Sequence, residues 1–180
     1  MKSFNRDEFV GCQNRQNYLN THDLVGAEFF GLNLTNLDFS NRDIYKSNFR
    51  YSNIHNSNFK SVFASNVDFE GAIITETDFS LADLEDADFY DADLDESTLL
   101  VGANIEGIDI RLCTGDGKVI KNIPSTVYDI AYTKTSLAIG CQQHKILEWQ
   151  NFGDEEISSM DRGALDWWKE NRDLILRLVK

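Results

Sequence analysis

Residues 82–100, ADLEDADFYDADLDESTLL, decide the architecture, because a bulky apolar residue returns at every fifth position: Leu84, Phe89, Leu94 and Leu99. Carried back in the same step, the row runs through Phe79, Ile74, Phe69, Ala64, Phe59, Ile54, Phe49, Ile44, Phe39, Leu34 and Phe29 to Leu24, and only Ala64 is small. A helix needs apolar recurrence at about 3.6 residues and a strand at about 2, so neither template accounts for the row. A short period sustained this long marks a solenoid, in which each repeat buries its face against its neighbours.

Two further positions keep the same frame. The residue two before the bulky one is often small: Ala27, Ser47, Ser52, Ser57, Ala72, Ala82, Ala87, Ala92 and Ser97. The residue just before it is usually Asp or Asn, as at Asp23, Asn33, Asn48, Asn58, Asp78, Asp83 and Asp93. Over roughly residues 17–110 this pattern resembles the pentapeptide-repeat family. The resemblance implies an all-β solenoid: a right-handed, four-sided β-helix with one repeat per side, bulky and small residues inward and the rest toward solvent.

The frame has defects. Phe4 and Phe9 fit it but Asn14 takes the next bulky slot, so an imperfect N-terminal coil is expected. After Leu99 an extra residue shifts the register to Ile105 and Ile110, with Ala103 in the small position. Phe63 falls in a normally polar slot beside the undersized Ala64; it reads as a local bulge supplying the missing bulk, with a binding hot spot as the other reading. Phenylalanine recurs every ten residues from Phe29 to Phe89. On a four-sided coil this predicts two opposed ladders, Phe29, Phe49, Phe69 and Phe89 facing Phe39, Phe59 and Phe79, as core rather than as a cofactor box.

The formal net charge of −13 is localised. Residues 1–60 hold seven bases and six acids, residues 111–180 hold ten of each, and residues 61–110 hold fourteen acids and no Lys or Arg. Asn33, Asn48, Asn53 and Asn58 fill the pre-bulky slot without charge, so coil geometry does not demand an acid there. By side, the acids group as Asp68, Glu70, Asp88 and Asp91; as Glu76, Asp93, Asp95 and Glu96; and as Asp83, Glu85 and Asp86. These coils span ~12 Å at ~4.8 Å each, a length over which a duplex carries ~7 phosphate charges. Direct nucleic-acid binding by this surface is disfavoured; a solubilising role is the plain alternative.

The period ends at Ile110, which suggests a β-helix over 1–111 and a small α+β cap module over 112–180. Gly115-Asp116-Gly117 reads as a hairpin turn, Val127–Tyr132 and Leu137–Cys141 as strands, and the chain from an Asp154 N-cap onward as helix, divided at Gly163. Trp149, Trp167, Trp168, Leu174, Ile175 and Leu178 offer apolar area that closes the solenoid's end or makes a two-fold dimer contact. The stretch from Ile139 to Trp168 resembles tails of phage-borne pentapeptide-repeat proteins.

Enzymatic chemistry finds little footing. Cys141 and His144 stand three apart, but a zinc site needs four ligands or three plus water, and His22 and His55 lie far back in the solenoid. Phosphate-binding glycine loops are absent, so no cofactor and no metal are expected. Cys12, Cys113 and Cys141 read as free thiols of a reducing cytoplasm. No stretch approaches about 18 apolar residues, and no signal peptide is seen, so no membrane partner is expected. The expectation is a non-enzymatic protein-binding module whose acids mimic DNA toward a basic DNA-binding surface. The resemblance supplies DNA gyrase as a precedent, and a defence nuclease fits equally. The alternative is an adaptor rod that docks or dimerises through its C-terminal module.

Overall fold

The computed structural model describes residues 1–123, 125 and 127–180, and in it each five-residue unit becomes one side of a coil. Parallel bridges join Glu28 to Asn48, Asn33 to Asn53, Asp38 to Asn58 and Asp43 to Phe63, after which the first column continues from Asn48 to Asp68 and Asp88. Four bridges therefore complete a coil, and the solenoid has four sides. Successive coils are zipped by backbone bonds in both directions, such as Phe49 N–H to Asp68 O at 2.7 Å and Asn48 N–H to Ala27 O at 2.9 Å.

The repeat's preferences follow from the corners. The small residue's amide donates to the carbonyl of the preceding bulky residue, as Ala27 does to Leu24 at 3.1 Å. The residue between them at the third turn position has positive φ: 64° at Gly26, 61° at Asn36 and 53° at Asp86. That combination is a type II turn, which favours Gly or Asn at this place. The Asp or Asn before the bulky residue accepts the amide two residues on in nearly every repeat, as Asp88 Oδ1 does from Tyr90 at 2.8 Å and Asn48 Oδ1 from Arg50 at 3.0 Å, with Asp93 the exception. Carboxylate and amide serve this bond alike, so the slot's identity is set by geometry and its charge is not. In the small slot, Ser47 and Ser57 donate to the Leu24 and Leu34 carbonyls of the coil before, at 2.6 and 2.8 Å.

The seven repeat phenylalanines are fully buried. Phe29 stacks on Phe49 at 4.5 Å and Phe39 on Phe59 at 4.6 Å, while rings on opposite sides meet edge-on, as Phe29 and Phe39 do at 5.7 Å and 90°. The two expected ladders are present, and edge-to-face contact across the interior fixes the coil's width.

Three expectations about the frame are corrected. Phe63 does not fill the space beside Ala64: it occupies a bridge position between Asp43 and Asp83 and is 58% exposed. The flanking small slots hold the buried valines Val62 and Val67, which supply the bulk instead. The extra residue precedes Leu99 rather than following it, so Leu100 points inward and Leu99 takes the bridge to Asp78. Asp95 Oδ1 accepts the amides of Ser97 and Thr98 in the enlarged corner, and Thr98 rather than Ser97 fills the small slot.

The N-terminal segment is a helical cap, not a coil. Strand β1 (Lys2–Ser3) pairs in parallel with β2 (His22–Asp23), and between them lie α1 (Arg6–Gly11) and α2 (Arg15–Thr21). Asn5 caps α1 through Glu8 N–H at 3.1 Å, and Asn14, the misfit of the bulky row, caps α2 through Asn17 N–H at 2.9 Å. Phe4 and the buried Phe9 and Tyr18 cover Phe29, with Phe4–Phe29 centroids 4.5 Å apart. The first coil's open edge is met by side chains: Arg6 on Glu28 O, Arg15 on Asn33 O, and Gln16, which donates to Asp38 O and accepts Asp38 N–H at 2.7 and 2.8 Å. Gln16 thus reproduces the two bonds of a missing strand residue.

At the other end stands an antiparallel sheet of β3 (Lys121–Ile123), β4 (Ile130–Tyr132), β5 (Ser136–Ile139) and β6 (Gln142–Lys145) in sequential order. The expected hairpin at Gly115–Gly117 is instead a loop organised by buried Asp116, whose Oδ1 accepts the amides of Lys118, Val119 and Ile120. The directly paired Ala131 and Ala138 face the solenoid core, while Ile130, Leu137 and Ile139 face a second core with the helices. Those helices are α3 (Ile146–Asn151), α4 (Asp154–Met160) and α5 (Ala164–Leu178). Gly153 rather than Asp154 is the cap residue of α4, and Gly163, at φ 90°, separates α4 from α5 as expected. Gln143 ties the sheet to the last coil, accepting Ile110 N–H at 2.8 Å and donating to Ile108 O at 2.6 Å.

Candidate acidic interaction surface

None of the fourteen acids of residues 61–110 is buried; Glu76, Glu85, Asp86, Asp91, Asp93 and Glu96 are exposed, and Asp68, Glu70, Asp83, Asp88 and Asp95 are half-buried. The column registers arrange them as a belt. The coil from Leu81 to Leu100 carries Asp83, Glu85 and Asp86 on one side, Asp88 and Asp91 on the next, and Asp93, Asp95 and Glu96 on the third. The fourth side, which carries Phe79, has Asp78 alone.

The belt is not uniformly free. Arg50, one coil earlier, binds Glu70 at 2.6 Å and lies 3.6 Å from Asp68, and Arg111, one coil later, pairs with Asp109. Among the described residues these are the acids of the segment that hold a basic ion-pair partner. The Phe69–Phe89 side is therefore partly neutralised. Asp88 sits between Asp68 and Asp109 in the same column; burial, followed by repulsion from Asp109, Asp68 and Glu70, pushes its carboxyl above the usual range. Asp95 shows the reverse balance: burial opposes its charge, but bonds from the Glu76, Ser97 and Thr98 amides and the Thr98 hydroxyl hold its carboxyl below the ordinary range.

Asp68, Glu70 and Asp88 present carboxylate oxygens within 4.8 Å of one another, but Arg50 already serves as the cation of Asp68 and Glu70. Cys141 and His144 do not form a ligand group. The His144 ring packs edge-on to Trp149 and Phe152, at 5.4 and 4.9 Å, and Cys141 lies on the turn into β6. Burial pushes the Cys113 thiol up to about 12, far from a nucleophile.

The C-terminal residues expected to cap or dimerise divide into two sets. Trp149, Trp168 and Ile175 are buried in the module's own second core, so the sheet, not the tryptophans, meets the solenoid. Trp167 is half-buried against Tyr128, with centroids 4.9 Å apart, whereas Leu174 and Leu178 are exposed on one face of α5. The five-residue frame gives an exposed Phe63 only as the second of its two readings and does not reveal the pairing of Arg50 with the next coil; a step of twenty residues from Arg50 to Glu70 is the signal that finds it.

Residues 23–60 and 65–99 match the family model described as pentapeptide repeats, in eight copies. Over these residues the solenoid is built of pentapeptide repeats. No curated protein matches the chain. Among solved structures, a pentapeptide repeat protein from the thylakoid lumen of Arabidopsis thaliana is 23% identical, with a TM-score of 0.52, over 54% of this chain and 68% of that one. A cyanobacterial pentapeptide repeat protein from Cyanothece is 18% identical with a TM-score of 0.38, over 58% of this chain and 97% of its own. One from Nostoc, involved in heterocyst differentiation regulation, is 18% identical with a TM-score of 0.28, over 53% of this chain and 49% of its own. The first of these likenesses supports the β-helical fold; the other two carry no weight. No described helix is long and apolar enough to cross a membrane.

Proposed function

We propose that this chain is a non-enzymatic protein-binding module whose acidic belt enters the basic nucleic-acid groove of a partner, either a topoisomerase such as DNA gyrase or a defence nuclease. The observation that carries the reading is charge density. One coil rises ~4.8 Å, a length over which a duplex carries about three phosphate charges; the coil from Leu81 to Leu100 carries eight carboxylates and no base. Repeat geometry does not require them, since Asn makes the same turn bond at Asn48 and Asn58. Complementary charge of this kind speeds association and selects partners.

The reading takes the coil as right-handed, the solenoid with its cap as 1–111, the remainder as a separate module, and the compartment as cytoplasm, in a bacterial or phage-infected cell. The test is supercoiling by gyrase and DNA cleavage by basic defence nucleases, with and without the protein. Salt-sensitive inhibition that vanishes when Asp83, Glu85, Asp86, Asp91, Asp93 and Asp95 are converted to amides is expected. No inhibition of any such enzyme, and no salt-sensitive association, overturns it.

The exposed Leu174 and Leu178, 58% and 49% accessible on α5, favour a second reading: an adaptor rod that pairs two-fold through this face. Sedimentation of the wild type beside Leu174→Ser/Leu178→Ser checks it. A monomer in both dismisses the dimer.

A further inference from the structure

The side of the solenoid poorest in acid is edged by apolar side chains that the fold does not call for. Phe63, Leu81, Leu99 and Val101 are 58%, 60%, 39% and 66% exposed. The coil lattice brings them to one corner. Leu81 donates its amide to Val101 O at 3.0 Å, and its Cδ2 would lie 2.8 Å from a Cβ on Gly102; Phe63 bridges to Asp83, two residues beyond Leu81, and Leu99 bridges to Asp78 on the adjoining side.

Three of the four break the repeat's own rules. Phe63 and Leu99 occupy the Asp/Asn slot and forfeit the turn bond that Asp43, Asp78 and Asp83 make in the same columns. Leu81 holds φ 62° at a corner where Asn41 occupies the same column two coils earlier. Each departure costs stability and exposes apolar surface, a combination that points to a use other than folding.

We infer that this corner is the apolar anchor of the partner-binding surface, and that its occupant is a basic polypeptide presenting apolar side chains between its Lys and Arg residues. The inference rests on the acidic-belt reading and adds its missing component. Charge selects the occupant: Asp78, Asp83 and Glu85 flank the corner, so a second copy of this chain would bring like charge against like. A polypeptide fits because, among the described residues, the amide of the half-buried Ile105, on one of the two sides meeting here, has no acceptor. Lys60 lies on the same corner two coils before Val101, at the patch's N-terminal margin.

The test is titration, by fluorescence anisotropy, of the full chain against a helical lysine–leucine peptide with one apolar face and against oligolysine of equal length, at low and high salt. The variant combines Phe63→Asn, Leu81→Asn and Val101→Ser; the first two substitutions restore the turn bond and relieve the backbone, so its melting temperature should not fall. Wild type should bind the lysine–leucine peptide at least about tenfold more tightly than oligolysine, and the variant should bind both alike. A preference that survives in the variant, or is absent in wild type, overturns the anchor. Salt-sensitive oligolysine binding without any preference defeats the anchor and leaves the belt standing. Lysine–leucine binding lost in the variant, with no oligolysine binding, defeats the belt and leaves the anchor. Binding of neither peptide defeats both.

Discussion

The Tyr51 ring lies across Gly71 on the next coil and donates its hydroxyl to Glu70 Oε1 at 2.7 Å. A Cβ on Gly71 would meet Cε1 and Cδ1 of that ring, and Gly71 also has φ 61°. Gly71→Ala is therefore expected to displace Tyr51, break its bond to Glu70 and strain the corner. Backbone strain alone is worth about 1–2 kcal/mol. A matching drop in unfolding free energy by urea titration, larger than that of Tyr51→Ala, checks this; an unchanged midpoint refutes it.

Ser52 and Ser57 fill equivalent small slots with opposite bookkeeping. Ser57 Oγ donates to Leu34 O at 2.8 Å, whereas Ser52 Oγ is buried with no partner among the described residues. Ser57 Oγ also accepts the Leu37 N–H at 3.2 Å, so Ser57→Ala should cost about 1–2 kcal/mol, the net worth of two hydrogen bonds. Ser52→Ala should be neutral or stabilising, because it removes an unsatisfied group. Equal losses in the two chemical-denaturation curves would contradict the assignment.

Asp88 gives the solenoid a signed response to pH. Its folded carboxyl is raised above 3.8 by burial first and by Asp109, Asp68 and Glu70 after that. A raised carboxyl favours the folded state when protonated; that benefit is complete below the unfolded value and is lost as pH rises through the folded one. Asp88→Asn keeps an acceptor for the Tyr90 amide and removes the crowded charge. It should therefore raise the unfolding free energy at neutral pH, by less than about 1 kcal/mol for this half-solvated group, with the gain fading as pH falls toward 3.8 and absent below it. A gain that grows on acidification would reverse the reading.

The three thiols should separate in reactivity. Cys141 is exposed, Cys12 is partly so, and Cys113 is buried with its thiol pushed up to about 12. Aromatic disulfide reagents at neutral pH should label Cys141 first and Cys12 next, with Cys113 reacting only on unfolding. Mass spectrometry of the labelled native chain reads the order directly.

The five-residue row was legible because every inward position is filled by one outsized side chain, and the phenylalanine ladders followed from the four-sided coil. Legibility failed where two residues satisfied the same rule. Leu99 and Leu100 are equally bulky, so the period cannot say on which side of Leu99 the extra residue falls; the amides gathered by Asp95 decide it. Phe4 and Phe9 keep the spacing of five by coincidence, since the asparagine caps at Asn5 and Asn14 commit that segment to helix. Strand β6, the polar Gln-Gln-His-Lys run, shows no alternation because its Gln143 bonds to the last coil rather than burying apolar surface. The acid-rich segment was plain in composition, yet its partial neutralisation depended on Arg50 and Arg111, which lie outside the segment in sequence and next to it only through coil stacking.

Gln16 has a consequence for how this molecule can be extended. By occupying both bonding groups of Asp38 with its own amide, it leaves no vacancy there into which another molecule's terminal strand could click. Head-to-tail growth into a fibre is blocked at that end, as an uncapped β-edge would not be. At that end the tube can lengthen only from within, by duplication of whole coils, each new twenty-residue unit entering as an extra notch on a ruler whose first mark is fixed.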